Sequence, residues 1–249
     1  MQTYDIDPKD YTQAKTDSII LHKIILKYPI KETKKMMAVI VFMAHYHQTT
    51  SLRDLHKSIK EHVQISLITL REYLWYLLEE KIISTIPRYD IKTGQVIAGK
   101  IRYGFNQTVH RESVVHYTLP SYLRIQNDIY QYFLQTDSYL YTWKNRGFEF
   151  DYIISPSDLS QSVLNEQADY QLSYFIHVFQ WEDKLELKKQ VAKMIKIHQL
   201  PGQNTLLTRP YHKYIVVESI SKLCIQKLRY GDLEIIEADT LFQKIEQKK

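Results

Sequence analysis

Between residues 66 and 105 the apolar pattern changes period once, and that change restricts the fold more than any other feature. "SLITLREYLWYLLEEK" sets Leu67, Leu70, Leu74, Leu77 and Leu78 on one side of a helix, the spacing of a helix that covers a core. Ser66 stands where its hydroxyl can cap the free N–H groups of the first turn. "IISTIPRYDI" and "GKIRYGF" then read as strands about the turn "KTGQ", because β-branched and aromatic residues replace the helical stripe. The spacing predicts a helix that runs directly into a hairpin.

Further helices precede this pair. "DSIILHKIILKYPI" begins at Asp17 and Ser18, carries Ile20, Ile24 and Leu21, Ile25 at helical spacing, and ends at Pro29. "KETKKMMAVIVFMAHYHQ" predicts a strongly apolar helix centred on residues 39–43. "TTSLRDLHKSIKE" opens with hydroxyl residues suited to capping and places Leu52, Leu55 and Ile59 on one face. Three helices joined by short turns and followed by a hairpin are the order of a winged helix-turn-helix. The expected organisation is a polar lead-in at 1–16, then this helical domain at 17–110.

From about residue 121 the pattern changes again. A helix near "LRIQNDIYQYFLQ" is followed by strands at "YLYTWK", "FEFDYII" and "SYFIHVFQ". A helix at "DKLELKKQVAKMIKIHQ" and strands near "NTLLT" and "EIIEA" complete the series. The polar stretch "SPSDLSQSVLNEQADYQ" reads as a long loop. Residues 111–249 therefore predict a second domain with a sheet core, and the fold class of the whole is α+β.

Composition removes several functions. With 44% hydrophobic residues the chain can bury a core. The longest apolar run, residues 36–44, is about half of the ~20 residues a spanning helix needs, and no secretory signal opens the chain. The expected location is cytoplasmic, without a membrane partner. Cys224 is the single cysteine, so an internal disulfide is excluded, and it is expected to be a small buried hydrophobe. There are six glycines and neither a G-x-x-x-x-G-K run nor a G-x-G-x-x-G run, so no nucleotide site is expected. No Ser or Cys elbow marks a nucleophile triad. A net charge of +5 suits an anionic partner if it is clustered.

In a helix-turn-helix the second helix of the pair enters the major groove by its N-terminal residues. Here that helix is "SLITLREYLWYLL", with Ser66, Ile68, Thr69, Arg71 and Tyr73 as early outward candidates. Arg71 suits guanine or a phosphate, and Thr69 a phosphate. Arg53, Lys57 and Lys60 on the preceding helix, and Arg88, Lys92, Lys100 and Arg102 on the hairpin, are candidate backbone contacts. Double-stranded DNA is the expected partner. The alternative is a protein-binding helical scaffold, for which Glu61, Glu72, Glu79, Glu80 and Asp90 dilute the positive charge.

The order "SIILHKIILKYPI", "ITLREYLWYLLEEKIISTIPRYDIKTG", "KIRYGF" and "YLYTWKNRGFEFDYII" resembles the C-terminal half of a prokaryotic AAA+ ATPase family. Members of that family carry a winged helix and a PD-(D/E)XK, or restriction-endonuclease-like, domain. The resemblance spans about residues 17 to 245 and lacks the ATPase module, so it implies a stand-alone or separated half, with a separate ATPase as a conceivable protein partner.

The same resemblance supplies the nuclease expectation. Asp151 matches the strand acid and Glu149 the acid two residues before it. His177 falls where the next strand would carry Glu or Gln, Phe179 where it would carry Lys, and Gln126 where the preceding helix would carry Glu. Two carboxylates and an ammonium are thus replaced by an amide, an imidazole and a phenyl ring, which cannot hold Mg²⁺ for hydrolysis. The expectation is a non-catalytic domain with no cofactor and no resident metal. The alternative is a nuclease using Glu149, Asp151 and His177, with Mg²⁺ or Mn²⁺ as cofactor, or a softer metal held by Asp151 and His177.

Overall fold

The structure, a computed structural model, describes residues 24–106, 120–145, 148–160, 173–180, 183–196 and 211–247. The polar lead-in, most of the long loop and the strand expected at "NTLLT" lie outside them. The chain divides into two compact units, Met1–Ile86 with Gly99–Leu119, and Pro87–Ala98 with Pro120–Lys249. The division falls inside the hairpin because Tyr89 and Ile91, near its tip, are buried in the second unit's core.

In the first unit a helical turn at 24–27 leads to α1 (Thr33–His45), α2 (Leu52–Lys60) and α3 (Leu67–Glu79). Residues 36–45 of α1 are all buried, as expected of a helix apolar on every side. α2 buries only Leu55 and Ile59. Its N-cap is Ser51, whose Oγ accepts the Asp54 N–H at 3.2 Å, and Ser66 caps α3 through the Thr69 N–H at 3.0 Å. α3 buries Leu70, Tyr73, Leu74 and Leu77 against α1 and α2. Its stripe is wider than the leucines alone predict, so Tyr73, expected to point outward, is instead 5% exposed.

α3 stops at Lys81, which adopts a left-handed φ of 53°. The Ile82 N–H then reaches Leu77 O at 2.9 Å and the Lys81 N–H reaches Leu78 O at 3.0 Å, closing the helix in a Schellman motif. A Cβ is disfavoured there. Lys81→Gly is therefore expected to raise the unfolding free energy of this unit by about 0.5–1 kcal/mol, read by urea denaturation. A loss of stability would contradict the cap assignment.

The hairpin follows as β1 (Ile83–Asp90) and β2 (Gln95–Phe105). Thr50, between α1 and α2, forms an antiparallel bridge with Ile101 through two backbone bonds of 2.7 and 2.9 Å. That extra pairing was not legible in "HQTTS".

The second unit contains α4 (Ser121–Leu134), β3 (Tyr139–Asn145), β4 (Phe148–Ser155), β5 (Ser173–Val178), α5 (Lys184–Ile195), β6 (Tyr211–Val217), β7 (Arg229–Tyr230), β8 (Leu233–Glu237) and α6 (Ala238–Glu246). The strand order is β2-β1-β3-β4-β5-β6-β8-β7. β3, β4 and β5 run antiparallel in turn, whereas β5, β6 and β8 are parallel. Leu187, Val191 and Met194 of α5 join Trp143, Phe150, Ile153, Phe175, Ile215 and Ile235 in one core. On alternate strand positions, Tyr174 meets Phe133 of α4 at 6.3 Å, and Tyr132 of α4 meets Phe242 of α6 at 4.7 Å. Helices therefore cover both faces of this sheet.

One irregularity positions the site. Trp143 pairs with Phe150 and Tyr141 with Ile153, so β4 advances one residue more than β3. The extra residue lies at Asp151 and Tyr152, opposite Thr142, a bulge that re-aims the side chains beside it.

Among the described residues no helix is long and apolar enough to cross a membrane. Cys224, expected to be buried, is exposed. It sits in a tight turn at a φ of 48°, where no apolar periodicity governs its direction.

Candidate functional site

The acids of "FEFDYII" part company in the structure. Asp151 is 5% exposed and receives three donors on its two oxygens. Gln126 Nε2 donates to Oδ1 at 2.6 Å. The Val178 N–H donates to Oδ2 at 2.7 Å, and His177 Nδ1 lies 3.0 Å from the same oxygen. The β4–β5 register ends at Tyr152 opposite Ile176, so the carboxylate takes over as acceptor where strand pairing stops.

Gln126 is held at two points. Its side chain meets Asp151, and its backbone carbonyl accepts the Tyr152 hydroxyl at 2.8 Å. The bulge makes this possible, since Asp151 and Tyr152, neighbours in sequence, both reach the α4 residue. Glu149 is spent differently: it lies opposite Lys144 in the register, with Oε2 3.3 Å from Lys144 Nζ. Phe179 is buried in the α5-side core, and its N–H bonds to Val216 O at 2.8 Å.

The structure thus brings Gln126, Asp151 and His177 together and gives Glu149 a separate partner. A hard divalent cation needs several oxygen ligands with lone pairs directed at it. Here the Asp151 oxygens are engaged by an amide, a backbone N–H and an imidazole, and Gln126 turns its donor inward. Among the described residues no three His, Cys, Asp or Glu side chains form a group able to hold a metal. The residues present do not fit the divalent cation that the nuclease resemblance implies.

Tyr152 and the Val178 N–H were not foreseen as parts of this cluster. The tyrosine had a faint signal in its position beside Asp151; the backbone donor had none, because it depends on where the register ends.

In the first unit, Arg53 and Lys57 of α2 and Arg71 of α3 are exposed. The Ser66 hydroxyl is used in the cap and lies 2.9 Å from Thr69 Oγ1. Lys100 pairs with Asp54 at 2.9 Å. The Asp54 carboxyl is held below its usual range, first by the Ser51 hydroxyl and then by Lys100. Arg102 is only 3% exposed, which removes it from a surface that a phosphate could reach. Strand alternation assigned it a face but could not tell that this face is covered. The outer side of α3 also exposes Ile68 at 70% and Trp75 at 51%, beside Glu72 and Glu79.

Arg88 and Lys92 belong to the second unit. Arg88 Nη2 donates to Lys144 O at 2.6 Å, beside the parallel pairing of Arg88 with Thr142. This arginine, expected at a DNA backbone, ties β1 to β3 instead. Lys92 is exposed in the turn.

Comparison with protein-family models, with curated proteins and with solved structures yields no match.

Proposed function

We propose that the first unit is a winged helix-turn-helix that binds double-stranded DNA, and that the second is a PD-(D/E)XK-like domain retained as a non-catalytic scaffold. The helix order, with the Thr50–Ile101 bridge between α1 and α2, supports the winged-helix reading. The observation that carries DNA contact is the exposure of Arg71 early in α3 with Arg53 and Lys57 on α2, the placement of base and phosphate contacts in such modules. The three donors on Asp151 support the scaffold reading, because they turn the surviving acid into a structural acceptor.

An Arg53→Ala plus Arg71→Ala variant is expected to bind a duplex about 10-fold more weakly at about 100 mM salt, with the salt slope reduced by about 1.8. Fluorescence anisotropy measures both. Unchanged binding would overturn the reading.

The exposed Ile68 and Trp75 support a second reading, in which α3 docks a protein without DNA contact. Large apolar side chains grouped on a surface suit protein interfaces. Under that reading the Arg53→Ala plus Arg71→Ala variant binds a duplex as the wild type does, with the same salt slope.

A further inference from the structure

The helix α5 carries a local excess of positive charge on its solvent side. Lys184, Lys188, Lys189, Lys193 and Lys196, set against Asp183 and Glu186, leave residues 183–196 with a formal +3. The apolar side of α5, Leu187, Val191 and Met194, is buried. At about 100° per residue, Lys188, Lys189, Lys193 and Lys196 fall within roughly 140° of the opposite side, and all four are exposed.

Helix stabilisation accounts for only part of this. Lys193 and Lys196 complement the negative C-terminal end of the helix dipole. Lys184 donates to Cys224 O at 2.7 Å, and Lys189 pairs with Glu186 at 3.1 Å. Lys188 lies beyond the first turn and far from the C-terminal end, where the dipole gives a cation no stabilising role.

We infer that the outer face of α5 is a second nucleic-acid contact, which grips the phosphate backbone of duplex DNA without reading its sequence. Lys188 to Lys196 span about 12 Å at ~1.5 Å per residue, and a duplex presents about seven phosphates over that length at one charge per ~1.7 Å. Lysine supplies a mobile point charge rather than the planar fork of arginine, and the remaining exposed residues of this face, Leu185 and Ala192, carry no side-chain donor. Such a surface can attract phosphates but cannot distinguish bases. An anionic lipid surface fits less well, because a helix lying on a membrane inserts its apolar side, and here that side is buried in the core.

The inference shares its partner with the proposed function but rests on different residues. The test uses the full chain, a 25-base-pair duplex of arbitrary sequence, and a Lys188→Gln, Lys193→Gln, Lys196→Gln variant, with anisotropy followed against KCl and circular dichroism to check folding. The variant is expected to lose about 10- to 100-fold in affinity near 100 mM salt and to flatten the salt slope by about 2.7. Unchanged affinity and slope would overturn the inference while leaving the α3 reading intact. If the triple variant loses binding and the Arg53, Arg71 variant does not, the α5 surface stands and the winged-helix reading fails. Lysine-dependent binding to phosphatidylserine vesicles without duplex binding would also overturn it.

Discussion

Replacing Asp151 with alanine is expected to lower the unfolding free energy of the second unit by about 3–5 kcal/mol. The mutation leaves Gln126 Nε2, the Val178 N–H and His177 Nδ1 buried around a void, and each buried donor deprived of its acceptor costs about 1–3 kcal/mol. Asp151→Asn is expected to cost less, about 1–3 kcal/mol, because one amide oxygen still accepts while the NH₂ faces a donor. Urea denaturation followed by circular dichroism and by fluorescence of the buried Trp143 reads the difference. Catalytic groups are commonly held at a cost to stability, so removing one is neutral or stabilising. An Asp151→Ala variant as stable as the wild type would therefore favour the nuclease alternative.

A comparable loss is expected when Lys213, whose side chain is wholly buried on β6, loses its charged partner. Its Nζ lies 2.9 Å from Asp232 Oδ2, 3.2 Å from Met194 O at the end of α5, and 5.4 Å from the centre of the Tyr211 ring. The two partners are unequal, since the Asp232 side chain is 40% exposed. Asp232→Asn leaves the buried ammonium its Met194 O acceptor but no counter-charge, and is expected to cost about 3–5 kcal/mol. Lys213→Met fills a similar volume and returns Asp232 to water, so a cost of about 1–2 kcal/mol is expected. Thermal or urea unfolding of the two variants tests the order; a larger loss for Lys213→Met would contradict it.

The local elements were legible where one physical rule acts within a few residues. Ser51 and Ser66 cap their helices, and Leu70, Leu74 and Leu77 face the first core, because capping and helical periodicity are set by near neighbours. The strands at "YLYTWK", "FEFDYII" and "SYFIHVFQ" likewise lie where alternation and β-propensity place them. "YHKYIVV" carries a weaker strand signal because Lys213 interrupts its apolar run. Nothing local announces that Asp232 and Met194 O will receive that ammonium. α6 followed "EIIEA" without a capping signal, and Glu237 indeed provides no side-chain cap.

The site was legible in part for the same reason. Gln126, Asp151 and His177 could be named from the strand and helix order that the resemblance supplied, yet their contacts depend on long-range register. The bulge at Asp151 and Tyr152 exists only through pairing with β3, and the Val178 N–H becomes a donor to Asp151 only where β4 and β5 cease to pair. Arg88 and Arg102 illustrate the converse. A charged residue on a strand predicts a wet surface, but Arg88 finds the Lys144 carbonyl and Arg102 lies on a covered face.

The central claim is that Asp151 serves the fold and not a reaction. Supercoiled plasmid incubated with the wild-type protein in Mg²⁺, Mn²⁺ or Zn²⁺, beside a folded Asp151→Asn variant, tests it most directly. The plasmid is expected to remain supercoiled with both proteins in every metal. Nicking by the wild type that disappears in Asp151→Asn would contradict the account.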